Sequence, residues 1–190
     1  IDFFRHVVLN SLRSIKRKFK NYGDIVLAID SKNPWRKDVY PYYKANRTKD
    51  KESSSIDWNQ VYTNLALVKN EIKENFPYKV IEVERAEADD IISTLAMRFG
   101  TNNMVDDPII IISADKDFIQ LQRYMNISQY DPIREKYVTG NWEQYLFEHI
   151  LRGDSGDGVP NVKSGDAFLV EKIRQKPVTQ KWIDQLTLLD

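Results

Sequence analysis

At 190 residues with 42% hydrophobic content, the chain is long enough for one sizeable core. No apolar run approaches the ~20 residues that span a bilayer, and no leader pattern opens it, so neither a membrane nor a secretory role is indicated. Cysteine is absent, which excludes disulfides and thiolate metal sites, fits a reducing cytoplasm, and leaves oxygen as the expected ligand for any metal.

The formal net charge of zero averages two unlike parts. Residues 1–51 carry 13 Lys and Arg against 5 Asp, and residues 52–190 carry 15 against 23, so a segment at +8 precedes one at −8. Such asymmetry suggests a polyanionic partner on one face and something cationic on the other. Solvated surface charge explains the count equally well.

The chain starts at Ile1, directly in a helical pattern, from which a preceding segment is expected. Val8, Leu12, Ile15 and Phe19 fall at helical spacing in an amphipathic helix with a basic outer face. "IVLAID" is an apolar strand ending in Asp30. Residues 32–57, rich in aromatic and basic side chains and closed by a serine run, read as a mobile, solvent-facing segment. Trp58, Val61, Leu65, Val68 and Ile72 restore the helical period, and "YKVIEVE" is the next strand. A helix follows from Glu87 to Phe99, with Ile91, Ile92, Leu95 and Phe99 on its buried side. "PIIIIS" is apolar on both faces, as in the middle of a parallel sheet. "NISQYDPIREKYVTG" reads as a hairpin-like excursion, and Trp142 to Leu151 as a helix. A glycine-rich loop with Asp154 and Asp157 then leads into a polar, helical tail.

Alternating helices and strands predict an α/β fold with a central, mainly parallel sheet flanked by helices. In such sheets functional groups collect beyond the carboxyl ends of the strands. Asp30 ends one strand, Asp115 and Asp117 follow "IIII", and Glu87 and Asp89 follow "VIEVE". These acids are therefore expected at one edge. Taken singly, Asp30 or Asp117 reads first as a cap or turn residue, "EADD" as a helix amino terminus, and Asp154 and Asp157 as turn formers. Together they point to metal. Crowded carboxylates raise one another's pKa, and Mg²⁺ or Mn²⁺ relieves the conflict through oxygen ligands, with some acids holding water in an outer shell. So many acids suit two ions, roughly 3.5–4 Å apart, clamping a phosphodiester for in-line attack.

The ordered motifs "LAID", "WRKDVYPYYKANR", "EADD", "ISADKDF" and "GDSGDGVPNV" resemble those of the 5′ nucleases, the flap endonuclease and 5′→3′ exonuclease superfamily. Within it they are most similar to the branch of T-even-type phage ribonucleases H. The similarity runs over nearly the whole chain. It implies a PIN-like 5′ nuclease domain over residues 1–140, with a basic arch at about 32–57. A helical helix-turn-helix (H3TH) region that grips duplex DNA is implied over 141–190. The implied metal ligands are Asp30, Glu87, Asp89, Asp90, Asp115, Asp117, Asp154 and Asp157. Lys44 and Arg47 resemble basic residues at the base of the arch, with Lys44 as an electrostatic stabiliser of the scissile phosphate. Arg36 is an implied phosphate contact, and Tyr42 or Tyr43 an implied stacking platform for an unpaired base.

Gly158, Lys163 and Gly165 lie in "GVPNVKSGDAF", similar to the duplex-binding element that holds K⁺ in the family. Gly158 stands where the family pattern has Asn, and the later glycine pattern is degraded. The family also begins with a strand carrying a further metal-binding aspartate, which nothing here matches. The resemblance implies a Mg²⁺-dependent, structure-specific 5′ nuclease with 5′→3′ exonuclease, flap endonuclease and ribonuclease H activity, removing RNA primers and 5′ flaps in phage DNA replication. Branched or flap duplex DNA and RNA–DNA hybrids are the implied substrates. A single-strand-binding protein and a sliding clamp are implied partners, in the cytoplasm, for a monomer with no membrane. The rival readings are a catalytically incomplete flap- or duplex-binding module of the same fold, and a toxin-type nuclease acting on RNA alone. "GDSGDGVPNV" argues against the last, since it implies a duplex-binding element.

Overall fold

The computed structural model describes residues 1–47, 51, 53–103, 106–171 and 173–187. Helix α1 (Asp2–Lys18) has an acid in its first turn and Lys16, Arg17 and Lys18 in its last, the order that suits the helix dipole. Leu12 and Phe19 are buried, while Val8 and Ile15 are half-buried. A 3₁₀ turn at Lys20–Tyr22 and Gly23, at φ 83°, lead into strand β1 (Val26–Ile29). Short helix α2 (Arg36–Val39) precedes α3 (Trp58–Asn75), whose first turn is capped by the Asp57 side chain. Strand β2 (Lys79–Glu82), helix α4 (Ala88–Phe99) and strand β3 (Ile109–Ile112) follow. A 3₁₀ helix (Lys116–Arg123) connects to the hairpin β4 (Ile127–Asp131) and β5 (Lys136–Val138). Helices α5 (Trp142–Arg152), α6 (Ala167–Val170) and α7 (Gln180–Thr187) complete the described chain.

The expected α/β architecture is present, and its strands fall into two hydrogen-bonded sets among the described residues. β1 pairs with β2 in parallel, Leu27 opposite Val80. β3 pairs with β4 in parallel, Ile111 opposite Gln129, and β5 returns antiparallel to β4. Each set has its own core. Leu12 of α1 with Val68 and Ile72 of α3 pack over Leu27 and Val80. Arg5 adds a two-bond fork to Glu71, tying α1 to α3 with both distances 2.7 Å. The second core joins Ala96 of α4, Ile111, Phe118, Leu121 and Ile127. Helix α4 packs against both β1 and the 3₁₀ helix and so links the two strand sets, as do the contacts of Phe19 and Tyr22 with Tyr130 and Ser128 of β4.

Four readings from the sequence change. Phe99 is 56% exposed and Leu65 is 44% exposed. The last turn of α4 runs past its core: Ala96 is buried there, and the Tyr124 ring lies where any Cβ on Gly100 would be, within 2.5 Å. Residues 35–47, expected as part of a solvent-facing segment, are docked by hydrogen bonds from both ends, as detailed below; residues 48–50 and 52 lie outside the described residues. Among the described residues the tail is helical only at α6 and α7: the Asn161 amide donates to the Gln175 side chain, the Asn161 side chain to the Lys176 carbonyl and the Lys176 amide to the Ser164 hydroxyl, and Pro177 has no amide to continue a helix. Among the described residues no helix is long and apolar enough to cross a membrane.

The β4–β5 turn is organised by Asp131, which is buried. Its Oδ1 accepts from the amides of Ile133 and Arg134 and its Oδ2 from the Arg134 guanidinium. The Arg134 amide, against the opposing effect of burial, holds this carboxyl below the usual range, with the guanidinium and the Ile133 amide adding to it. A depressed carboxyl contributes stability that is complete above its unfolded pKa, near 3.9, and is lost as pH falls through the lower folded value. Asp131→Asn is therefore expected to destabilise the fold at pH 7, with the gap to the wild type starting to narrow below about pH 4 and closing as pH falls through the folded value. Urea unfolding of both proteins at pH 7 and pH 3 measures this, and a constant gap across that range counts against it.

Candidate metal centre

The carboxyl ends of the parallel strands bring the predicted acids together. Asp30 follows β1 directly, and its Oδ1 accepts from the Ala88 amide at 2.7 Å, tying that strand end to the first turn of α4. Asp89, in the same turn, has its carboxyl pushed up to about 6, first by burial and then by the negative charges of Asp115 and Asp30. Three acids from three elements thus share one electrostatic field. A carboxyl destabilised in its charged form by neighbouring carboxylates is the situation a divalent cation relieves, so this donor set fits such an ion.

Asp117 and Asp154 form a second group beside it. One ligand atom each from Asp117, His149 and Asp154 lie within 4.8 Å of one another. Asp117 is also held at Oδ1 by the Tyr145 hydroxyl at 2.7 Å. Burial, followed by that bond, keeps the Tyr145 hydroxyl protonated well above its ordinary pKa. Asp154 Oδ1 accepts from the amides of Gly156 and Asp157, so the loop is wrapped around this carboxylate.

The remaining acids face cations. Glu87 is buried, and receives Lys44 Nζ at 2.5 Å, the Tyr43 hydroxyl at 2.7 Å and Arg36 at 3.1 Å. Burial pushes its pKa up, but the Lys44 and Tyr43 bonds outweigh it and leave the carboxyl below its usual range. Asp90 accepts from Arg36 at 2.8 Å, from Trp35 at 3.2 Å and from the Glu87 amide at 2.9 Å, the helix-capping role that "EADD" allowed. Arg36, expected as a phosphate contact, spends its guanidinium on Glu87 and Asp90. Tyr43, expected as a stacking platform, is buried with its hydroxyl on Glu87, whereas the neighbouring Tyr42 ring is 37% exposed. Arg47 pairs with Asp157 at 2.5 Å, and Lys44 Nζ lies 3.9 Å from the same carboxylate. Lys44 therefore stands between the Glu87 and Asp157 groups. Part of the basic amino-terminal charge is folded onto the acids instead of forming a separate face.

Backbone contacts hold this arrangement. Lys44, at φ 56°, donates its amide to the Asp157 carbonyl at 2.8 Å, and Asn46 Nδ2 donates to the Ser155 carbonyl at 3.0 Å. Tyr40 donates to the Gly158 carbonyl and to Asp166, and burial followed by the Asp166 bond raises its hydroxyl to about 12. Gly158 sits at φ 79°, and a Cβ there would meet the Tyr42 carbonyl at 2.8 Å. Gly158→Ala is thus expected to cost about 1–3 kcal/mol and to loosen the 40–47 segment from the loop. Amide hydrogen exchange at Lys44 and thermal melting test this; unchanged protection at Lys44 would count against it. Gly165 has open space around it, while Lys163 Nζ lies 3.8 Å over the Trp182 ring.

Three residues at the site carried no signal in the sequence. His149 and Tyr145 look like ordinary members of an amphipathic helix until the fold sets α5 against the 3₁₀ helix. Gln129 is fully buried on β4, and its amide donates to the carbonyls of Ser113 at 2.9 Å and Asp115 at 2.6 Å, fixing the turn that presents Asp115. A glutamine in a strand gives no hint of this, because its partners come from the crossover.

Comparison with known proteins identifies the family. Residues 4–148 match the family model of the 5'-3' exonuclease, N-terminal resolvase-like domain. The chain is 36% identical over 180 residues to Ribonuclease H of Enterobacteria phage T4, covering 91% of this chain and 58% of that protein. It is 31% identical over 137 residues to Flap endonuclease Xni of Shewanella sp. (strain MR-4), covering 67% of this chain and 48% of the relative. The chain thus spans about half the length of these relatives. The fold is also that of the bacteriophage T5 5'-exonuclease solved with divalent zinc ions bound, at TM-score 0.69 and 18% identity over 97% of this chain and 76% of that one. With the family model covering most of the chain and the acids gathered at the strand ends, the chain belongs to the 5'-3' exonuclease family, through its N-terminal resolvase-like domain.

Proposed function

We propose that this chain carries the catalytic centre of a divalent-metal-dependent, structure-specific 5′ nuclease that hydrolyses phosphodiesters in 5′ flaps and RNA primers, the role of a phage replication nuclease. The observation that carries the reading is the crowding of Asp89 by Asp115 and Asp30 at the strand ends, with Asp117 and Asp154 alongside. Asp30, Asp89 and Asp115 are the residues we assign to one Mg²⁺ or Mn²⁺ ion, and Asp117 and Asp154 to a second. Such ions polarise the phosphoryl oxygens and stabilise the leaving oxygen.

The chain's own groups do the remainder. Lys44, which bridges the Glu87 and Asp157 groups, is the side chain we assign to balancing charge on the phosphoryl oxygens. Glu87 orients that ammonium, Tyr43 holds Glu87, and Arg36 adds a further contact to the same carboxylate. Arg47, half-exposed on Asp157, is the side chain we assign to the flanking phosphate. The loop around Gly158 and the stretch containing Lys163 and Gly165 are assigned to duplex backbone contact, with K⁺ as the companion ion of that H3TH element. Tyr42 is the exposed ring for an unpaired base. A single-strand-binding protein and a sliding clamp are the partners this role implies.

The test is cleavage of a 5′-labelled flap duplex with Mg²⁺ or with EDTA. Metal-dependent cutting near the junction supports the reading. Flap binding that is equal with and without metal, with no cutting under either condition, supports a binding module of the same fold instead. Binding should weaken as salt rises, as phosphate contacts require.

A further inference from the structure

We propose that His149 supplies a nitrogen ligand to the metal position of Asp117 and Asp154, and that this position takes Zn²⁺ or Co²⁺ in preference to Mg²⁺. The inference rests on the reading of these acids as a metal centre, and adds a ligand of a different kind to it. An all-oxygen centre is what the absence of cysteine and the run of aspartates predict. The fold adds an imidazole.

His149 lies near the end of α5, one turn after Tyr145. The two rings stack, with centroids 5.6 Å apart and planes 12° from parallel. Tyr145 is itself pinned by its hydroxyl to Asp117, so a packed ring fixes the plane of the imidazole. Nε2 then lies 3.7 Å from Asp117 Oδ1. That separation is too long for a hydrogen bond. It fits two atoms sharing one ion: ligands about 2.1 Å from a metal stand roughly 3–4 Å apart. Asp154 completes the set, with all three ligand atoms within 4.8 Å of one another and Asp154 Oδ1 already anchored by two amides. The three ligands come from the 3₁₀ helix, α5 and the following loop. Their meeting is a property of the tertiary structure.

Chemistry sets the preference. Imidazole nitrogen suits Zn²⁺ and Co²⁺, whereas Mg²⁺ demands oxygen ligands and keeps much of its water. Asp30, Asp89 and Asp115 form an oxygen-only set. The two positions should therefore differ in metal selectivity.

The experiment measures metal binding, not cleavage. Mg²⁺, Co²⁺ and Zn²⁺ are titrated by calorimetry into the wild type, His149→Ala and His6→Ala, and the histidine ¹⁵N resonances of the wild type are followed as Zn²⁺ is added. His6, the other histidine, is on α1 beside Asn10 and serves as the control. The expected result is a Zn²⁺-dependent shift of the His149 Nε2 resonance alone. His149→Ala should bind Co²⁺ and Zn²⁺ at least about 10-fold more weakly, with Mg²⁺ affinity changed by less than about 2-fold. The resonance shift is read on the wild type, so the test stands even if the variant folds poorly. Co²⁺ and Zn²⁺ binding that leaves the His149 resonance and the variant's affinity unchanged overturns this assignment and leaves the acidic centre standing. No binding of any divalent ion to the wild type overturns both.

Discussion

Asp115→Asn is expected to lower Mg²⁺-supported cleavage by at least about 100-fold, since changes merely to the partners of metal ligands already cost 10–100-fold. The substitution isolates charge from structure. The Asp115 side chain caps the 3₁₀ helix by accepting from the Asp117 amide at 2.9 Å, and asparagine is an equally good acceptor in that position. Gln129 holds the Asp115 carbonyl, which the substitution leaves in place. What disappears is one negative charge beside Asp89, whose carboxyl is pushed up to about 6 by burial and by Asp115 and Asp30. Two opposite changes should therefore appear together: cleavage falls, while the melting temperature without metal stays equal or rises because repulsion is relieved. Single-turnover cleavage and metal-free thermal melting measure them. Full activity in the variant would remove Asp115 from the proposed centre, and a large metal-free loss of stability would make its role structural.

Ile72→Ala is expected to destabilise the fold by about 2–5 kcal/mol, a large share of the roughly 5–15 kcal/mol that a domain has in total. Ile72 is 3% exposed and packs with Val68 and Leu12 where α1 and α3 cover β1 and β2. The Arg5 fork to Glu71, one residue before it, holds the two helices at their present separation, so the cavity cannot readily close. The proposed centre draws its ligands from elsewhere. Urea unfolding should show the loss, and Mg²⁺ affinity at low temperature should match the wild type. A variant as stable as the wild type would mean that this core repacks around the gap.

Local features were legible because they depend on short stretches of chain. The period of α1 and α3, the four isoleucines of β3 and the turn chemistry of the β4–β5 hairpin each follow from neighbours in sequence. The acids were legible for the same reason. A carboxylate just past an apolar run marks a strand end, and parallel pairing of β1 with β2 and of β3 with β4 then puts those ends on common edges.

The partners of those acids depended on contacts between distant residues. By itself the sequence determined the long helices and the strands, the family motifs and the set of carboxylates from which the proposed metal centre is drawn. Only the tertiary structure decided which of them are crowded together and which are neutralised. Asp89 meets Asp115 and Asp30, whereas Glu87, Asp90 and Asp157 meet Lys44, Arg36 and Arg47. The same packing buries Tyr43, sets Gln129 under the Asp115 turn and brings His149 to Asp117. The physical reason is range: periodicity and capping are set by residues within about one helical turn, while the field at a carboxylate is set by whatever charge the packing of α4, α5 and the 3₁₀ helix places within a few ångströms.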